Sequence, residues 1–217
     1  SAEHLIAEMN IYGIDRTVIS HVCYYGRNNA YPSYIVKKWP DRFAGFGLLV
    51  GHRLFDPEDP ENPDRLSYLV EEQGLVGLRL SPIYDREKRW FDDPVMFPVW
   101  KRAEELNAVF NIFLSPEQVG QVDTMAQRFS GVKVVIDHIA MIDITAPDEA
   151  GFGPLLELSR LPHGGAAFFG GKRNIGGDQY LGLSSIGNAT TGLVLASADN
   201  RLFMHGGTRK GWFGTGN

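Results

Sequence analysis

The sequence predicts an α/β fold on a parallel sheet, of the (β/α) barrel kind. Five apolar segments of strand length alternate with six amphipathic helical segments, recurring at intervals of roughly 25 to 30 residues. The strand segments are near-continuously apolar, which is the pattern of strands covered on both faces. Neither G-x-G-x-x-G nor G-x-x-x-x-G-K-[ST] occurs. A doubly wound sheet commonly carries such a phosphate turn, so its absence favours the barrel.

Each element has its own local reason. Leu5, Ile6 and Met9 share one face of a helix over residues 2–12, and Gly13 suits the left-handed position that closes it. RTVIS (16–20) is β-branched and short, hence a strand. A helix over 28–38 is interrupted early by Pro32, and FAGFGLLV (43–50) reads as a buried strand. Asn62 can cap the next helix, Pro63 fits its first turn, Leu66, Leu69 and Val70 share a face, and Gly74 ends it. VGLRL (76–80) follows as strand. Val99, Trp100, Ala103 and Leu106 stand at helical spacing within 98–107, ahead of the apolar strand AVFNIFL (108–114). Ser115 and Gln118 form a capping box around Pro116, opening a helix whose Val119, Val122, Ala126 and Phe129 face the core. VKVVID (132–137) is the fifth strand, and a sixth helix is expected over 148–158 with Phe152, Leu155 and Leu156 inward.

After Leu161 the composition changes. Residues 162–217 hold 14 of the 25 glycines and two acids against five bases, whereas residues 1–161 hold 24 acids and 16 bases. Two domains are therefore expected: a partial barrel over 1–161 and a glycine-rich, irregular tail over 162–217. GLVLAS (192–197) and RLFMHG (201–206) can form short strands in the tail, and no amphipathic helix can be drawn there.

Net charge is −5 with no basic stripe, which argues against nucleic acid or an anionic membrane surface as partner. No apolar run approaches the roughly 20 residues of a membrane span, and SAEHLIAEMN lacks the parts of a secretory signal. A cytoplasmic protein acting on a small molecule is expected. The single cysteine, Cys23, excludes an internal disulfide and reads as a packed hydrophobe. Asn188-Ala189-Thr190 fits a glycosylation sequon by chance.

In a parallel barrel the chemistry gathers at the C-terminal ends of the strands. The polar residues there are His21 after TVIS, Arg79 in VGLRL, Asn111 in AVFNIFL, and Asp137 with His138 after VKVVI. Alternation forbids Asp137 and His138 both to point inward, unless the strand ends between them. His138 can be a metal ligand or general acid/base, or a histidine satisfied by a backbone carbonyl. Arg79 needs an anion, either a structural carboxylate or a substrate carboxylate or phosphate. His21 and Asn111 suit loop hydrogen bonds as readily as substrate binding. Tyr24, Tyr25, Tyr31 and Tyr34 can wall a pocket or pack half-buried. The histidines His4, His21, His52, His138, His163 and His205 form no H-x-H or H-x-x-x-H pair, and there is no C-x-x-C or G-x-S-x-G. A metal site would have to be assembled from scattered residues.

Four stretches, YGRNNAYPSYIVKKWPDRFAGFGLL, LVEEQGLVGLRLSP, WKRAEELNAVFNIFLSPEQVGQV and GVKVVIDHIA, occur in this order and together resemble the amidohydrolase-2 branch of the amidohydrolase superfamily. These are TIM-barrel hydrolases that include pyrone-dicarboxylate lactonase-like enzymes. The likeness runs from about Ile6 to Pro162. It implies that RTVIS is barrel strand 2 and VKVVID barrel strand 6, so that the chain is an incomplete (β/α)8 barrel, a fragment starting after the first-strand H-x-H. By the same likeness His138, in its V-I-D-H context, is the catalytic residue or ligand of a divalent metal such as zinc or manganese. Arg79 would hold a substrate carboxylate, and Asn111 would stand where metal-dependent relatives carry a fifth-strand histidine. The H-x-H and the eighth-strand aspartate motif have no counterpart here, and the tail past Leu161 reads as unrelated or out-of-frame sequence.

The resemblance implies hydrolysis of a lactone or amide in a small carboxylated substrate, with weak or no turnover by this chain. Two alternatives stand beside it. One is an inactive partial barrel serving as a subunit or binding module, able to form a homo-oligomer through its open edges. The other is a different α/β enzyme that binds an anion through Arg79.

Overall fold

The computed structural model describes residues 1–22, 27–49 and 55–141, together with the strand residues 167–169, 173–174, 178–186, 190–196, 201–206 and 209–214. The expected helix over 148–158 lies outside the described residues, as do Cys23, Tyr24, Tyr25 and Asn188. The chain divides into two compact units. The first comprises Ser1–Leu80 with Pro94–Asn111, and the second Ser81–Asp93 with Ile112–Asn217.

In the first unit, helix α1 (Ala2–Ile11) precedes strand β1 (Thr17–Ser20), α2 (Ala30–Lys38) precedes β2 (Phe43–Gly47), α3 (Asn62–Ser67) precedes β3 (Gly77–Leu80), and α4 (Phe97–Glu105) leads into β4 (Val109–Ile112). The order along the sheet follows the chain, β1-β2-β3-β4. The first two pairings are parallel, with Ser20 opposite Phe46 and Phe46 opposite Gly77. Val109 N donates to Val76 O at 2.9 Å, bringing β4 against the start of β3.

Several helix details depart from expectation. Leu5 is 38% exposed, and α1 buries Ala2 and Met9 instead of a full Leu5–Ile6–Met9 stripe. Asn62 does not cap α3, because its side-chain amide donates to Asp56 O at 2.7 Å, and the helix continues as one wider turn over Tyr68–Glu72. Gly74 ends it at φ +71°, as its sequence position predicts. In α4, Trp100 is fully buried and meets Phe110 edge-on at 4.9 Å.

The end of β2 is finished by a side chain. Asn29, just ahead of α2, donates from Nδ2 to Leu48 O and accepts from Leu48 N, each at 2.9 Å. The amide thus stands in for a neighbouring strand, satisfying two buried backbone groups that would otherwise each cost about 1–3 kcal/mol.

Side chains of this sheet sort into two faces. A Cβ added to Gly45 would touch Val36, Leu75 and Ile19, and one added to Gly47 would touch Leu69 and Leu75. Ile19, Gly45 and Gly47 therefore face the layer of α2 and of the helix that starts at Asn62. By the register and the two-residue period, Ser20, Phe46, Gly77 and Arg79 face the other way. On that face Ser20 Oγ donates to Asn111 Oδ1 at 2.9 Å. β1 and β4 are three strand spacings apart along the sheet, roughly 14 Å if it were flat. A serine and an asparagine cannot span that, so the four-stranded wall is curled with Ser20 and Asn111 on its concave side.

In the second unit, α5 (Val119–Arg128) leads to β5 (Lys133–Asp137). The capping box forms as expected: Ser115 N donates to Gln118 Oε1 at 3.0 Å, and the Ser115 side chain accepts from Gln118 N. The Ser115 hydroxyl also holds the Glu117 carboxyl below its ordinary range. Val119, Val122, Met125 and Ala126 form the buried stripe, with Met125 in place of Phe129. β5 pairs in parallel with β6 (Ala167–Phe169), Val135 opposite Ala167. Beyond it, β7 (Arg173–Asn174), β8 (Asp178–Ile186), β9 (Thr190–Ala196), β10 (Arg201–Gly206) and β11 (Arg209–Gly214) pair antiparallel in a meander. The short strands predicted at 192–197 and 201–206 are β9 and β10. The rest of the tail was expected to be irregular, yet the described residues there include the strands β6, β7, β8 and β11.

Candidate functional site

Arg79 is the third residue of β3, and Leu78 and Leu80 on either side of it are fully buried, so alternation alone turns the guanidinium to the concave face. It is 6% exposed, and Nη1 donates to His21 O at 3.1 Å. Asn111, the third residue of β4, is wholly buried and is bonded to Ser20. Arg79, Asn111 and Ser20 thus share one side of the curled wall, where a guanidinium, a carboxamide and a hydroxyl can serve a polar ligand.

His21 joins this group through its main-chain carbonyl. His21 also lines a half-open cavity of about 490 Å³ with Ala2, Leu5, Ile19, Ser20 and Tyr31. Ser20 was not among the predicted site residues. Its signal was available in the alternation of TVIS, but a serine ending a strand has no distinguishing chemistry until Asn111 is beside it.

His138 belongs to the second unit. β5 ends at Asp137, and His138 opens a short turn through Met141 with left-handed backbone at His138 (φ +50°), Ala140 (φ +51°) and Met141 (φ +55°). The strand therefore stops between the two titratable residues, which removes the conflict that alternation posed. Asp137 is buried, while the His138 side chain is 34% exposed with Nε2 3.6 Å from Asp137 Oδ1. The Phe113 ring meets the imidazole at 4.7 Å and 61°. A half-exposed imidazole beside a buried carboxylate has the surroundings of a group that exchanges protons with a ligand.

No group of three or more His, Cys, Asp or Glu side chains able to hold a metal ion occurs among the described residues. Asp137 and His138 supply two donors, fewer than the three protein ligands of a catalytic zinc centre. The described residues thus do not by themselves fit a divalent metal. No described helix is long and apolar enough to cross a membrane.

Solved structures share this fold. The probable 2-pyrone-4,6-dicarboxylic acid hydrolase of Acinetobacter baumannii, solved with citric acid bound, superposes with a TM-score of 0.61 at 19% identity, over 76% of this chain and 58% of that one. An enzyme of the same designation from Pseudomonas putida gives 0.60 at 19% identity, over 76% and 56%. The 5-carboxyvanillate decarboxylase of Sphingomonas paucimobilis gives 0.51 at 20% identity, over 75% and 62%. The chain spans less than two thirds of the length of these structures, in keeping with the partial (β/α) barrel that the sequence predicts. No curated protein sequence matches it. The amidohydrolase family model matches residues 2–163, three quarters of the chain. With its alternating strands and helices and its curled parallel wall, the chain belongs to the amidohydrolase-2 family.

Proposed function

We propose that the chain contributes to a hydrolase acting on a lactone or amide bond of a small, carboxylated substrate. The observation that carries this reading is Arg79, a buried guanidinium on the concave face of the first unit beside Asn111 and Ser20. A guanidinium in such a place is a carboxylate receptor, because its planar fork matches two oxygens. The designation of two structural neighbours as dicarboxylic acid hydrolases, one of them with citric acid bound, supports the same substrate class. In this reading Arg79 holds the substrate carboxylate, while Asn111 and His21 complete its binding. His138, in the second unit, is read by itself in the family role of general acid/base, a group that would take a proton from an attacking water and return it to the leaving group. A divalent ion such as zinc or manganese would need ligands beyond Asp137 and His138, and no step is assigned to it.

We place family-like sequence at 1–161 and an appended segment at 162–217, and we expect turnover by this chain to be weak or absent. Binding is then the more direct test. Titration calorimetry with citrate should show an interaction that Arg79→Met weakens by about tenfold or more, the worth of a charge-assisted pair. Equal binding by the variant would remove Arg79 from the receptor.

A second reading is a catalytically inactive subunit. β1 stands at the end of the strand order, and an unprotected edge strand is a template for pairing with another copy. Sedimentation velocity should then show self-association that rises with concentration, and a monodisperse monomer throughout would exclude this role.

A further inference from the structure

We propose that Phe113 is the positioning residue for the His138 imidazole, with Tyr84 as its backing. The proposal rests on the reading of His138 as the proton-transfer group, although the arrangement can be tested without turnover.

His138 begins a turn in which it, Ala140 and Met141 all have left-handed backbone, a region that residues with a Cβ occupy only where their surroundings hold them. Two groups flank the imidazole. Asp137 Oδ1 lies 3.6 Å from Nε2, and the Phe113 ring meets the imidazole in an edge-to-face arrangement at 4.7 Å. Phe113 directly follows β4, and its carbonyl accepts from Ile83 N at 3.2 Å. Tyr84 stands edge-on to Phe113 at 5.8 Å and 81°. The Pro82–Tyr84 turn that carries Tyr84 is fixed in turn by Gln118 Nε2 donating to Pro82 O at 3.0 Å, and Gln118 is itself held in the capping box at the start of α5. The imidazole orientation is thereby referred back to three separate segments of the second unit.

A simple packing role explains this less well. Phe113 is only half-buried and Tyr84 is 46% exposed, whereas Trp100 and Phe110 are completely buried. Rings left this open contribute little to a core, but they can fix a neighbouring ring that must stay accessible to a ligand.

The test is nuclear magnetic resonance on the full chain with labelled histidine and phenylalanine, the His138 signals being identified by their loss in His138→Gln. The expected result is a ring-current displacement of the His138 ring protons and a cross-relaxation peak to Phe113. Both should disappear in Phe113→Leu, and the ring-current displacement should persist in Phe113→Trp. Tyr84→Leu, at a site 46% exposed, should reduce the displacement partway, and it serves alone if Phe113→Leu fails to fold. Unchanged His138 signals in Phe113→Leu, or in Tyr84→Leu where that variant stands alone, overturn the proposal, as does a Phe113→Trp spectrum matching that of Phe113→Leu. If the signals move as stated while His138→Gln leaves turnover intact, the positioning stands and the catalytic reading fails.

Discussion

Gly77→Ala is expected to unfold the protein. Gly77 opens β3 at φ +158°, and a Cβ built there would lie 2.7 Å from Val109 N and 2.8 Å from Val109 C, closer still to the carbonyl oxygen. These are backbone atoms of β4, and Val109 N is itself bonded to Val76 O, so nothing flexible can give way. Relief requires the two strands to part, which breaks the pairing that sets Arg79 beside Asn111. The cost should exceed about 4 kcal/mol, the level at which single substitutions become exceptional. That is between about a quarter and four fifths of the roughly 5–15 kcal/mol by which domains are stable. Denaturant unfolding followed by circular dichroism should show the cooperative transition lost or shifted close to zero denaturant. Gly120→Ala is the control: it lies in α5 with nothing within 4 Å of the added carbon. It should be neutral or stabilising by about 0.5–1 kcal/mol. A Gly77→Ala protein as stable as the Gly120→Ala one would show the β3–β4 approach to be looser than described.

His138→Ala has the largest expected effect on chemistry. Whatever lactone or amide hydrolysis the chain supports should fall by about 10²- to 10⁴-fold in kcat/KM, the contribution of a general acid/base. Thermal stability should change little, because the side chain is 34% exposed. A panel of carboxylated lactones and amides, with and without added zinc or manganese, provides the measurement. Turnover undiminished in His138→Ala would assign the hydrolysis to another group. Robust turnover by the unaltered chain would itself contradict the weak activity expected here.

The parts of the fold that were legible are those carried by local periodicity. β1 to β5 and α1 to α5 all appear where apolar spacing predicts them, with most ends shifted by one to three residues and the helix from Asn62 widening at Tyr68–Glu72. FAGFGLLV shows why: Leu48 and Leu49 are as buried as a strand interior, but pairing stops at Gly47 because the Asn29 side chain takes over. No apolar pattern announces that. Asn62 misled for a related reason, since its position fits a cap and only the approach of Asp56 reveals another partner. In the site, Arg79 and Asn111 stood out because a polar group inside an apolar strand demands a reason. Ser20 did not, its partner being 91 residues away. Phe113 read as one more apolar position of AVFNIFL until His138 was set against it.

The two side-chain links of the first unit differ in how much chain they enclose. Asn29 and Leu48 are 19 residues apart, whereas Ser20 and Asn111 are 91 apart. Loop-closure entropy makes the longer ring about 1.4 kcal/mol harder to shut. The finishing of β2 is therefore a neighbourhood affair that α2 can bring with it as soon as it docks. Bending the wall must wait for a rendezvous of distant segments, so the hollow that would receive a ligand is the later achievement of folding and the first to be surrendered when the chain loosens.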